Sequence, residues 1–180
     1  AAQNQVRAEI GGDITAIGVM DDAVYPFKET AIYAFGGPGP LADPSVVTNN
    51  NGFTQADLVT SDVGCSSARS VGQTPEGIIF QSSKGIYLLS RGRQALYIGE
   101  SVDPLNAQVI ERCTLLPDRQ QILCLTSTPG GFSLLWDYSR NQWSKFSNHV
   151  GLDAVVVDGT YHYLRPDSRV FQETPGVYRD

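Results

Sequence analysis

The sequence is short of the residues that usually carry chemistry. Of its 180 residues 18% are charged, two are histidine, three are cysteine and one is methionine. No apolar run approaches the roughly 18 residues that a helix needs to cross a bilayer. The opening "AAQNQVRAEIGG" lacks the basic and apolar regions of a secretion signal. The chain therefore reads as soluble. Because it begins without Met, it also reads as a processed or partial piece of something longer. A net charge of −6 argues against a general nucleic-acid surface, which needs an excess of Lys and Arg on at least one face.

The scarcity extends to metal and redox motifs. Cys65, Cys113 and Cys124 are odd in number and show none of the paired short spacings of a zinc or dithiol site. Cys124 sits in the apolar "QQILCLTS", where a small buried thiol is expected. The reading is three free thiols, with a Cys65 to Cys113 bridge as the alternative. His149 and His162 have no HxH or HExxH partner, and His162 alternates with Tyr161 and Tyr163 as a strand residue does.

What the sequence has in quantity is turn formers, 18 Gly and 10 Pro, between short apolar runs. "EGIIFQSSKGIYLLSRGRQALYIGE", Glu76 to Glu100, reads as three strands of a meander, and "SARSVGQTPEG" before it supplies a fourth. The same grammar recurs in "ERCTLLPDRQQILCLTSTPGGFSLLWDYSRNQWSKFS", with turns at "PDRQ", "TPGG" and "SRNQ". At least three strands are legible in "DITAIGVMDDAVYPFKETAIYAFGG" and again in "LDAVVVDGTYHYLRPDSRVFQET". The second strands centre near Val24, Ile79, Leu123 and Tyr161, a spacing within the range of propeller blades.

A meander with apolar residues on both faces must bury both, and stacking sheets radially does so. The expected fold is all-β: a β-propeller of four-stranded antiparallel blades at 13–36, 66–102, 109–148 and 152–180, part of a larger propeller, with an inserted surface loop at 37–64. A sandwich is the competing architecture, but it would show cleaner alternation of apolar and polar residues.

Every candidate for chemistry has a plainer account. Asp21, Asp22, Asp118, Asp158 and Asp167 fall in turns, where Asp bonds its own backbone. "NNNG", Asn49 to Gly52, lacks the alternating acids of a calcium loop. "GGPGP", Gly36 to Pro40, carries prolines that remove the amide donors of a phosphate cradle. Arg69, Lys84, Arg91 and Arg93 form a local basic cluster that reads as solubilising turn charges, or else as a contact for a nucleic-acid backbone or an acidic neighbour. Trp136, Tyr138, Trp143 and Phe146 straddle a hairpin and read as packing between sheets. No catalytic, cofactor-binding or metal-binding residue is assigned, and the chain is read as not an enzyme.

The stretch "LVTSDVGCSSARSVGQTPEGIIFQSSKGIYLLSR", the strand "ALYIGESV", "LLWDYSRNQWSKFSN" and "DGTYHYLRPDSRVFQETPG" together resemble the β-propeller part of tailed-bacteriophage tail hub, nozzle or head-to-tail stabilisation proteins. The resemblance runs from about Asp13 onward. It implies a structural virion protein in a homo-oligomeric ring, contacting other tail or connector proteins. Packaged DNA would pass through its channel without sequence-specific binding. Members of that family are longer than this chain. The competing expectation is a host-surface or glycan-binding propeller, with or without hydrolase activity, using Tyr25, Trp136 or Tyr161 at a blade mouth.

Overall fold

A computed structural model describes residues 8–37, 52–128 and 131–174. They form fifteen strands in four antiparallel sheets, each built from strands adjacent in sequence. The first sheet holds β1 (Ile14–Met20), β2 (Ala23–Lys28), β3 (Ile32–Gly36) and β4 (Asp57–Thr60). The second holds β5 (Gly72–Thr74), β6 (Gly77–Ser82), β7 (Gly85–Ser90) and β8 (Ala95–Tyr97). β9 (Ile110–Leu116), β10 (Gln121–Thr126), β11 (Phe132–Asp137) and β12 (Gln142–Ser147) make the third. The fourth has three strands, β13 (Asp153–Val157), β14 (Thr160–Leu164) and β15 (Val170–Gln172).

The turns follow from residue chemistry. Asp21 and Asp22 join β1 to β2 and both lie at positive φ, 51° and 59°. Asp158 and Gly159 join β13 to β14 at 49° and 74°. Two central residues at positive φ are what a two-residue type I′ hairpin needs, and Asp and Gly reach that region most easily. The carboxylates expected in turns are in turns.

The stretch 37–64, expected as a surface loop, departs from that reading. Asp57–Thr60 pairs with β3 through Ile32 opposite Thr60 and Tyr33 opposite Leu58, completing a fourth strand on the first sheet. Asp57 and Leu58 are exposed on this outer strand, so the apolar signal that marks inner strands is weak there. Residues 38–51, including most of "GGPGP" and "NNNG", lie outside the described residues.

The sheets lie face on face in chain order, because neighbouring residues of each inner strand point to opposite neighbours. On β6, Ile78 and Phe80 pack against Tyr25, Phe27 and Ile32 of the first sheet. Ile79, between them, packs against Cys113, Ile122 and Leu134 of the third. On β10, Ile122 and Cys124 face the second sheet, whereas Leu123 and Leu125 face Ala154 and Tyr161 of the fourth. This gives three consecutive cores. It also explains why "GIIFQS" and "QILCLT" read as apolar throughout: both faces are covered.

The first strands β5, β9 and β13 approach one another closely and β1 approaches β6, and glycine makes room at two of these contacts. A Cβ on Gly72 would sit 2.8 Å from Cys113 Cβ and 2.9 Å from Ile122 Cδ1. A Cβ on Gly18 would sit 2.9 Å from Ile78 Cδ1. Each glycine occupies the corresponding strand-to-sheet contact in its own unit, so the close approach is a repeated feature of the stack.

The expectation of three free thiols is corrected. Cys113 on β9 and Cys124 on β10 are directly opposite each other, with Cα atoms 4.1 Å apart, and form a disulfide. Opposed residues of an antiparallel pair share a face and bring their Cβ atoms together, which no inspection of spacing reveals. Cys65 is free and buried; its Sγ donates to the Ser67 carbonyl at 3.0 Å, and burial pushes the thiol above its ordinary range. It stays protonated and poorly nucleophilic.

Candidate functional site

The stack scatters most of the groups able to do chemistry. Lys84 lies in the β6–β7 turn, whereas Arg91 and Arg93 lie in the β7–β8 turn at the other end of β7, so no continuous basic face forms. Each cation instead meets a carboxylate of a neighbouring unit. Lys84 Nζ lies 2.5 Å from Asp62, Arg91 pairs with Asp21, and Arg93 lies 3.9 Å from Asp57. Arg69, in the short 3₁₀ turn before β5, lies 3.6 Å from Glu111 of the third sheet and 3.7 Å from Asp153 of the fourth, and donates to the Leu152 carbonyl at 2.6 Å.

Arg112 adds a second bond to Asp153 at 3.2 Å, and Arg119 reaches Glu173 at 2.7 Å. Most of these pairs are about half exposed, so each contributes at most about 1 kcal/mol in solution. Their value is positional: all six cations named bond across a sheet boundary or to the segment linking two sheets, which sets the sheets in register as the apolar cores pull them together.

The histidines separate. His162 Nδ1 lies 3.1 Å from the Thr160 carbonyl on its own strand, as expected of a strand residue. His149 lies at the boundary of the third and fourth sheets, with Nδ1 2.6 Å from Ser133 Oγ and its ring 4.4 Å from Tyr163. A hydroxyl and imidazole at that distance match a nucleophile and its base. The surroundings do not: Ser133 is fully buried, and among the described residues no carboxylate bonds the second ring nitrogen. The pair satisfies a buried hydroxyl and a half-buried imidazole.

Burial pulls the His149 imidazole below its ordinary value, with the nearby Arg165 acting in the same direction and Glu173 opposing it. The unfolded chain therefore takes up this proton first as pH falls. His149 is expected to contribute stability above about pH 6.5 that is lost below it, with a slope of at most ~1.4 kcal/mol per pH unit. Urea unfolding at pH 7.5 and pH 5.5 checks this, with H149Q as reference. An equal pH dependence in the variant would contradict it.

The aromatic candidates for a sugar platform are enclosed. Tyr25, Trp136 and Tyr161 are each no more than 3% exposed. Trp136 Nε1 donates to Asn141 Oδ1 at 3.2 Å, and Trp143 Nε1 to the Ile98 carbonyl at 2.7 Å. Trp136 and Trp143 stack 6.0 Å apart across β11 and β12, filling space between sheets as the hairpin position suggests, whereas Phe146, expected to pack there too, is 46% exposed. A ring with no free face offers nothing to a sugar.

A small recess lies beside Tyr161, lined by Asp118, Arg119, Val156, Gly159 and Glu173 among others, with a volume of about 30 Å³. That is room for about one water. The Tyr161 hydroxyl is buried and accepts no bond from the protein, and burial pushes its pKa well up, so it stays protonated. Of the turn carboxylates, Asp118 lines this recess. Asp158 stands in the adjacent turn, and Asp167 accepts from the Arg169 amide at 3.3 Å.

Sequence reasoning missed Gln81. Although 4% exposed, it spans the second and third sheets: its Oε1 accepts from the Ile110 amide at 2.9 Å and its Nε2 donates to the Gln108 carbonyl at 2.8 Å. A glutamine inside "IIFQSS" carries no local signal that its amide will meet a linker 27 residues away.

No family model matches the chain, and no curated protein matches it. Among solved structures it is similar to the crystal structure of the computationally designed Ika4 protein, with 13% sequence identity, 98% of this chain and 100% of that chain covered, and a TM-score of 0.54. The likeness concerns the fold alone. Among the described residues no helix is long and apolar enough to cross a membrane, and no three His, Cys, Asp or Glu side chains gather as metal ligands would.

Proposed function

We propose that this chain is a non-enzymatic structural component of a tailed-phage virion, a propeller segment of a tail hub, nozzle or head-to-tail connector. In this reading it works in a homo-oligomeric ring, against other tail or connector proteins, around the channel through which packaged DNA passes. The observation that carries the reading is the contrast between covered and uncovered sheet faces. The second and third sheets bury both faces in three successive cores, while the outward faces of the first and fourth keep Ile17, Val19, Val155 and Val157 at least 50% exposed. A soluble domain that works alone seldom leaves β-branched residues so placed at both ends. A unit that is one part of a larger wheel has them there.

Chemistry is consistent with the same role. The ion pairs join sheet to sheet rather than converging on a cleft, and the acidic balance favours DNA passing without adhering. The test is the intact particle. Mass spectrometry of purified virions should find the chain, and electron microscopy should place its four sheets in a ring around the axial channel. Absence from purified particles, together with binding or cleavage of a host glycan by the isolated chain, would replace this reading with the glycan-binding one.

A further inference from the structure

The two ends of the stack are of opposite kinds. Each internal contact sets the forward face of one sheet, the face toward the next in sequence, on the backward face of its successor. Three such contacts occur, first on second, second on third and third on fourth. Among the described residues one forward face and one backward face are left over. The forward face belongs to the fourth sheet, where Val155 and Val157 alternate with the inward Ala154 and Val156, and Val170 joins them from β15. The backward face belongs to the first sheet. There Ile17 and Val19 alternate with the inward Gly18 and Met20, and Leu58 joins them from β4.

We propose that the forward face of the fourth sheet docks on the backward face of the first sheet of a second copy of this chain, head to tail. The argument is continuity with the contacts already built. Every other forward face among the described residues is covered by a backward face of the same chain, and exposed β-branched side chains stand on the first strands of both open faces, β1 and β13. Exposure on these faces is substantial: Ile17 64%, Leu58 48%, Val157 50% and Val170 70%. A face-to-face joint between two copies of the first sheet would instead reverse the succession in which first strands neighbour first strands. The head-to-tail joint is heterologous, so repetition closes into a ring when the rotation allows.

Part of the backward face is already occupied. Ala8 accepts from Lys28 Nζ at 2.9 Å, and the Ile10 amide donates to Tyr33 Oη at 3.0 Å, so the chain leading into β1 crosses it. Three or four strands about 4.8 Å apart and about five residues long give a flat footprint of roughly 200–300 Å² per face. Two such faces fall at or below the low end of specific interfaces. One joint is therefore weak, and self-association is expected in the micromolar to millimolar range. The proposal deepens the ring reading but rests on the stack alone, so its failure leaves the particle test of the virion reading untouched.

Sedimentation equilibrium of the 180-residue chain, up to about 1 mM where so small a joint is populated, tests it. The wild type should self-associate with concentration. I17K and V157K, each at an exposed position and each checked for an unchanged circular dichroism spectrum, should both be monomeric. Mixed in equal amounts they should form a dimer and nothing larger, because the I17K copy keeps an intact forward face and the V157K copy an intact backward one. A wild type monomeric throughout, loss of association in only one of the two variants, or a mixture that stays monomeric would each overturn the proposal.

Discussion

Replacing Phe27 by alanine is expected to lower stability by about 3–5 kcal/mol, the range for emptying a buried aromatic site. Phe27 is fully buried in the core between the first and second sheets, with its ring 5.0 Å from that of Phe80 and in contact with the Gly18 region of β1. The strands around it are held by ladder hydrogen bonds on both sides, so they cannot collapse into the space, and the cavity term adds to the lost transfer energy. For a chain of this length the melting temperature should fall by roughly 6–20 °C. Urea unfolding of the F27A variant measures it. A loss below 1 kcal/mol would mean that the first sheet does not rest on the second as described.

Reduction of the Cys113–Cys124 disulfide should give the second largest effect. The bridge closes a short loop, eleven residues apart in sequence, for which the chain-entropy relation gives about 3 kcal/mol. Dithiothreitol should therefore lower the stability of the wild type by about 2–3 kcal/mol and leave that of C113A/C124A unchanged. Thiol titration of the denatured, unreduced chain should find one reactive thiol, Cys65. Three titrated thiols would return the chain to the reading made from spacing alone. The bridge lies within the core between the second and third sheets, so reduction should loosen that boundary ahead of the others, which hydrogen exchange on β9 and β10 would reveal.

The two losses differ in origin. Removing Phe27 acts on the folded state, through contacts that cannot be remade. Breaking the bridge acts chiefly on the unfolded chain, by releasing a constraint on it. Combining F27A with reduction should thus give nearly additive losses, since the affected sites lie in different cores.

Particular residues show how far local reading reached. "PDRQ", "SRNQ" and "DG" marked real turns because Asp, Asn and Gly impose their backbone preferences within two or three residues. "IIFQSS" marked a strand covered on both faces because burial on both sides removes the alternation of one-sided strands. β4 escaped notice because an edge strand with Asp57 and Leu58 exposed has little apolar signal, and its partner β3 lies beyond a long excursion. Tyr25, Trp136 and Tyr161 looked the same whether they lined a mouth or filled a core. Their burial was decided by sheets contributed from elsewhere in the chain.

The sequence by itself determined the strands, most of the turns and their grouping into meanders, because these depend on side-chain period and backbone preference over a few residues. Only the tertiary structure decided which cysteines bond, that Arg69 reaches the fourth sheet, that Ser133 and His149 satisfy each other, and which apolar faces remain open. Those outcomes depend on which sheet lies against which, and contacts between residues dozens of positions apart have no local signature to read.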